Sequence, residues 1–199
     1  MRRSRTRKGR LIQEWDFSLA EKVILVTGMP GAGKDEFIGV ANNFGFKDVH
    51  MGNTVRKYAV ENGIELRDHE VGAFASKERE KHGMHIWAQR TCLYIEDNES
   101  TIIDGLRNYE ELEYFQKKFS TLSVVAIFAN RRDRLDRIMK RNRPDDIKSE
   151  TELLDRDKRE LSWGLGNLIA LADYMLVNDS TLDVFKERTS EFMKTHILR

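Results

Sequence analysis

An α/β fold built on a parallel sheet covered on both faces is predicted by three features of the chain. Five short apolar runs recur along it, the stretches between them have helical periodicity, and a glycine-rich turn separates the first run from the first helix. Parallel neighbours need crossover connections, which are mostly helical, so this alternation puts helices on both sides of the strands. Val23, Ile24, Leu25 and Val26 make the first strand, a β-branched run that stops at Thr27 and Gly28. The turn continues through Gly33, and a helix follows over Glu36 to Phe44. Phe46 to Met51 gives a second strand, and helical patterns then cover Thr54 to Asn62, Asp68 to His82 and Met84 to Glu96. Thr101 to Leu106 is the third strand and Glu110 to Phe119 the next helix. Val124 to Ala129 is the clearest strand, and it leads into a strongly basic helix. Helices over Glu150 to Leu161 and Gly166 to Ala172, a strand from Tyr174 to Val177 and a helix from Leu182 to Thr195 complete the pattern.

Composition narrows the function classes. At 199 residues with 40% hydrophobic and 34% charged content, the chain fits one domain with a real core, and disorder of the whole chain is excluded. The longest purely apolar run, Val124 to Ala129, is far short of the roughly 20 residues a spanning helix needs, so no membrane segment is expected. A single cysteine, Cys92, excludes an intramolecular disulfide and points to a reducing cytoplasmic compartment. Charge is unevenly placed. The first ten residues hold six of the 34 lysines and arginines and no acid, which leaves 28 basic against 33 acidic residues elsewhere. Residues 1–21 therefore read as a basic extension, with the globular domain at 22–199. The arm is either a solvated tail or the one place where nucleic acid would bind. No apolar stretch follows its arginines, so it is not a secretory signal.

Gly28, Met29, Pro30, Gly31, Ala32, Gly33 and Lys34 match G-x-x-x-x-G-K directly after a strand and directly before a helix. Glycines in such a loop let successive backbone N–H groups curl around a β-phosphate. The helix N-terminus adds positive potential, and the lysine reaches the β- and γ-phosphates. ATP is therefore the expected ligand of Gly28 to Lys34. Asp35 occupies the position where serine or threonine normally holds magnesium. A carboxylate is also a hard oxygen donor, so Asp35 is a candidate metal ligand with magnesium as the cofactor; the other reading is a degenerate, catalytically weak site.

Asp104 ends the third strand, where open α/β sheets gather their ligands, and it is a second candidate ligand for magnesium. Arg107 follows it and is placed to hold an acceptor phosphate, with Arg56 as its natural partner. After the fourth strand, Arg131, Arg134, Arg137 and Arg141 fall on one helical face, and Lys140 and Arg143 extend the basic run to Pro144, Asp145 and Asp146. Stacked cations repel unless an anion sits among them, and a triphosphate in transfer is such an anion. The alternative is a solvated basic face. Arg137, Arg141 and Arg143 are the candidates for catalysis beside Lys34. Arg156 lies between Asp155 and Asp157, where it either adds a charge to the site or pairs on the surface.

These residues together resemble the nucleoside monophosphate kinase branch of the phosphate-loop kinases, which includes adenylate kinases and dephospho-coenzyme A kinases. Asp104, Gly105 and Arg107 resemble that family's acceptor segment, and Arg137 to Asp146 its R-x-x-x-R-x-R-x-D lid. Ala172 to Asp179 resembles its last strand, whose following loop lies near the donor base, which implies a nucleotide contact for Asn178. The segments Gly28 to Lys34, Phe74 to Gly83 and Leu161 to Asp179 are similar, more narrowly, to an uncharacterised archaeal family related to adenylate kinases. The resemblance implies strand order 2-3-1-4-5, a helical acceptor region at about 53–96 and a short lid at about 137–149. Its acceptor region contains Arg90, Trp87 and an H-x-x-H pair, His82 and His85. Arg90 is taken as an acceptor contact, Trp87 as core or a stacking platform, and the histidines as ordinary rather than metal-binding, because no third ligand stands at metal spacing.

The expected activity is magnesium-dependent transfer of the ATP γ-phosphate to a small phosphorylated or nucleotide-like acceptor, of the nucleoside monophosphate or dephospho-coenzyme A type. The competing reading is a non-enzymatic ATP-binding regulator that engages RNA or a protein. A GTPase switch is disfavoured because no N-K-x-D motif is present; Asn178 and Asp179 are followed by Ser180.

Overall fold

The computed structural model describes residues 22–96, 99–141 and 147–199. The basic arm at 1–21 and the lid residues Arg143, Pro144, Asp145 and Asp146 lie outside the described residues. The five expected strands are β1 (Val23–Thr27), β2 (Lys47–His50), β3 (Thr101–Asp104), β4 (Leu122–Phe128) and β5 (Tyr174–Val177). They pair in parallel in the order β2-β3-β1-β4-β5. Register aligns their C-terminal ends: Val26 lies opposite Asp104, and Asp104 opposite His50.

Alternation along the strands divides the core in two. Val23, Leu25, Ile103 and Val124 face α2 (Met51–Glu61), α4 (Ile86–Thr91), α5 (Tyr109–Lys118) and α8 (Leu165–Ala170) through Met51, Trp87, Phe115 and Leu168. Ile24, Val26, Ile102 and Val125 face α1 (Lys34–Asn42) and α9 (Leu182–Phe192) through Phe37, Ala41 and Phe185. A third, small cluster of Ile138, Ile147, Leu153 and Leu135 joins α6 (Arg131–Arg141) to α7 (Glu150–Ser162). The remaining helix, α3 (Asp68–His82), has the bounds the periodicity predicts.

Several boundaries differ from the sequence reading. β2 stops at His50 and Met51 already begins α2, because Met51 is buried in the core and the strand passes to the helix without a loop. β3 stops at Asp104 because Gly105 turns the chain at φ +98°. The helix expected over Met84 to Glu96 is only six residues of α-helix followed by a 3-10 turn at Cys92–Tyr94.

Candidate active site

The phosphate loop leaves β1 at Thr27 and enters α1 at Lys34. Gly31 and Gly33 hold φ of +79° and +105°, a left-handed region that other residues rarely adopt. A methyl at Gly33 would collide with Asn178 Nδ2, and one at Gly31 would sit 2.9 Å from the Arg134 carbonyl oxygen. The loop is thus pressed against its surroundings as well as curled. Asn178, buried after β5, donates to the Ala32 carbonyl at 2.9 Å. Arg137 in turn donates to the Asn178 carbonyl at 2.9 Å and to its Oδ1 at 3.2 Å.

The arginine face of α6 divides by burial. Arg134 is inside the protein, where it pairs bidentately with Asp157 at 2.9 and 2.5 Å and donates to the Pro30 carbonyl at 3.0 Å. Arg131 pairs with Glu150 on the surface, and Arg141 lies 3.9 Å from the half-exposed Asp35 carboxylate. Carboxylates of the protein itself, on α1 and α7, relieve the repulsion expected of the stacked cations. A bound anion is not required for Arg134 to be there.

Lys34 donates to the Gly28 carbonyl at 2.9 Å and approaches that of Met29 at 3.4 Å. Burial pushes its ammonium pKa down, against the opposing pull of Asp104. A lysine poised in this way gains charge stabilisation when an anion enters. Asp104 sits opposite. Burial pushes its carboxyl up, but His50, Lys34 and Arg107 outweigh that and hold it below the ordinary range. Its Oδ1 is buried with no hydrogen-bond partner among the described residues, and its Oδ2 lies 3.6 Å from His50 Nδ1. His50 Nε2 contacts Asp48 at 2.9 Å, and the hydrogen bond to Asp104 leads the causes that raise the imidazole pKa.

Three adjoining cavities cover these groups. The first is rimmed by Gly33, Lys34, Arg137, Asn178 and Leu182, beside the outer half of the phosphate loop. The second lies over the loop, where Lys34 and Asp35 face His50, Asp104, Arg56 and Arg107. The third shares Arg56, Arg107 and Arg156 with the second and continues between Val71, Glu160 and Trp163. Its walls are apolar and aromatic and its mouth is cationic. Arg79 lies 5.2 Å over the Trp163 ring and is neutralised by buried Glu111 at 2.9 Å. Glu111 also accepts from the Arg107 backbone N–H at 2.7 Å, which fixes the turn that carries Arg107.

Comparison with known proteins fits this geometry. A family model described as an AAA domain matches residues 24–160. A UPF0200 protein from Thermoplasma volcanium is 60% identical over 176 residues, covering 88% of this chain and 98% of that one. Another, from Methanothermobacter thermautotrophicus, is 36% identical over 174 residues, covering 86% and 89%. The chain belongs to the UPF0200 family. Among solved structures, TT1252 from Thermus thermophilus matches with a TM-score of 0.62 at 16% identity, covering 88% of this chain and 97% of that one. Shikimate kinase from Bacteroides thetaiotaomicron matches with a TM-score of 0.53 at 17% identity, covering 87% and 98%. The UPF0200 chain thus has the phosphate-loop kinase fold, as its loop and strand order predict.

In this UPF0200 chain Lys34, Asp35, Asp104, Arg56, Arg107 and Arg141 open onto one cavity. Asn178 rims the outer cavity while bracing the loop from behind. Arg90 is the exception. It pairs with Glu78 at 2.6 Å, packs over Tyr58 and Trp87 at 4.3 and 4.8 Å, and lines none of the three cavities. Its charge joins α2, α3 and α4 rather than meeting an acceptor. Trp87 is wholly buried and donates to the Ala75 carbonyl at 3.1 Å, so the core reading holds for it. His82 lies 3.7 Å from Glu78, and His85 stacks on Tyr114. His50, Glu111, Asp157 and Glu160 were missed by sequence reasoning. Among the described residues no helix is long and apolar enough to cross a membrane.

Proposed function

We propose that this protein is a magnesium-dependent phosphotransferase that moves the γ-phosphate of ATP to a small phosphorylated or nucleotide-like acceptor. The observation that carries this reading is the cavity in which Lys34 and Asp35 of the phosphate loop face Asp104, Arg56 and Arg107. Donor phosphates on the loop and an acceptor anion on the arginines would meet there, and holding two reactants in line supplies much of the rate of such a transfer. Lys34 would turn from the Gly28 carbonyl to the β- and γ-phosphates, and Arg137 and Arg141 would flank the charge spread over the transferring group. Asp35 and the unpartnered Oδ1 of Asp104 are hard oxygen donors fitted to magnesium, which when bound neutralises phosphate charge.

In the transfer, an acceptor oxygen bonds to the γ-phosphorus as the bond to the β-phosphate oxygen breaks, and ADP leaves. A phosphate acceptor needs no base; a sugar hydroxyl would give its proton to Asp104. Labelled ATP with magnesium against AMP, CMP, UMP, GMP and dephospho-coenzyme A tests the reading, with Lys34→Ala as control. Transfer to one acceptor that is lost in the variant is expected. ATP binding without transfer to any of them would move the protein to the regulatory class.

A further inference from the structure

Glu160 is a carboxylate in the third cavity, which shares Arg56, Arg107 and Arg156 with the cavity where the proposed function has donor and acceptor meet, and the inference drawn from it rests on that reading. Its side chain is 4% exposed. Its Oε2 lies 2.5 Å from Arg107 Nε, and its Oε1 lies 3.9 Å from Arg156 Nε, one turn back on α7. The approach to Arg107 is close but not aligned, since Oε2 has no hydrogen-bond partner among the described residues. A buried carboxylate persists only when paired, and here its pair is the arginine best placed for an acceptor phosphate. An anion that binds Arg107 therefore meets a negative charge already in contact with the guanidinium. Glu160 takes the Nε edge and Nη1 donates to the Leu106 carbonyl at 3.3 Å, so an anion on the remaining N–H groups sits close to the Glu160 carboxylate and is repelled by it.

Helix α7 itself is pinned. Asp157, three residues before Glu160, is locked to Arg134, which holds the Pro30 carbonyl of the phosphate loop. The Leu153 side chain is buried against α6 in the same stretch. Relief of the repulsion is left to the Glu160 side chain, and Arg156 offers it a second cation on its own helix. We infer that Glu160 occupies the anion position on Arg107 and exchanges to Arg156 when the acceptor binds, which makes it a positioning residue that sets acceptor affinity. It acts through Arg107 and touches neither the phosphate loop nor the outer cavity.

Titration calorimetry of AMP, GMP, CMP and UMP into wild type, Glu160→Gln and Glu160→Asp tests this, with ATP binding and thermal melting measured alongside. Glu160→Gln is expected to bind at least one monophosphate roughly tenfold more tightly, the scale of one charge-assisted hydrogen bond no longer competed for. ATP affinity should change far less, because Glu160 reaches Lys34 of the phosphate loop only through space. A merely structural glutamate would not produce tighter binding on removal. If Glu160→Gln does not fold, Glu160→Asp keeps the compensating charge but draws it back by one methylene, and roughly threefold tighter binding is expected. Unchanged or weaker monophosphate binding in the folded variant, with wild-type binding and transfer intact, overturns the role of Glu160 and leaves the phosphotransfer reading standing. Failure of wild type and variant alike to bind any of the four, while both bind ATP, overturns the role of Glu160; if dephospho-coenzyme A is not phosphorylated either, the phosphotransfer reading falls with it.

Discussion

The proposed donor half and the proposed acceptor half of the site are built in opposite ways. The donor half is one continuous stretch, Gly28 to Asp35, whose phosphate-binding surface is the backbone and whose shape is fixed by left-handed glycines. Distant side chains support it from behind, namely Asn178 on the Ala32 carbonyl and Arg134 on the Pro30 carbonyl. The acceptor half has no such stretch. Arg56 comes from α2, Arg107 from the turn after β3, and Arg156 and Glu160 from α7. Its arginines have protein partners already: Asn53 at 3.4 Å for Arg56 and Glu160 for Arg107. A backbone site is ready for its ligand, whereas a side-chain site must release its own contacts first. Affinity for ATP should therefore be robust to change around the loop's edge, and affinity for the acceptor should be tunable by single residues.

The largest expected effect is on the donor side. Lys34→Ala should reduce transfer by about 10³-fold, since a charge aimed at the transferring group in a shielded site is worth several kcal/mol. Steady-state assays with saturating acceptor check it. Next is the buried strut behind the loop. Asp157→Ala leaves Arg134 inside the protein without its carboxylate, which costs about 3–5 kcal/mol and should lower the melting midpoint by roughly 10 °C. If melting is unmoved, the pair does not brace the loop.

Smaller and confined to the acceptor half is Arg107→Ala, expected to raise the acceptor KM by about 10- to 100-fold with ATP affinity kept. Arg90→Ala serves as its contrast. It should leave the acceptor KM in place and lower stability only, because Arg90 lines no cavity of the site.

The smallest effect is the pH dependence at the junction of the two halves. The His50 pKa is raised by Asp104, so its contribution to stability is complete below the ordinary imidazole value of about 6.5 and fades as pH rises through the folded value. The Asp104 pKa is lowered, so its contribution is present above the ordinary carboxyl value of about 3.9 and fades as pH falls through the folded value. Wild type minus His50→Gln stability, followed by denaturant melts, should be largest between these limits and shrink toward alkaline pH.

Legibility in the sequence follows the same division. The phosphate loop and the five strands are local patterns, so residues 23–34 alone nearly define the donor half. The arginine face of α6 shows where local pattern stops. Arg131, Arg134, Arg137 and Arg141 have the same spacing and the same residue type, yet one is buried against Asp157 and another pairs with Glu150 on the surface. Packing of α6 on α7 decides which, and no periodicity reports it. His50 reaches Asp104 through the β2–β3 register across fifty-odd residues of chain. For Asp155-Arg156-Asp157 the pattern leaves a site charge and a surface pair both open; Arg156 lines two of the cavities, while Asp157 is the buried partner of Arg134. Arg90 shows the same limit: its place in the acceptor region is legible in the sequence, whereas its contacts with two aromatic rings and Glu78 are not.

The measurement that bears most directly on the account is transfer from γ-labelled ATP to a panel of nucleoside monophosphates by wild type, Lys34→Ala and Arg107→Ala in parallel, with ATP binding recorded for each. Two halves serving one reaction predict a single labelled product. It should be absent with Lys34→Ala and recovered with Arg107→Ala only at much higher acceptor concentration, while ATP binding by Arg107→Ala matches wild type. Tight ATP binding by wild type with no labelled product from any monophosphate, or from dephospho-coenzyme A run beside them, would contradict it.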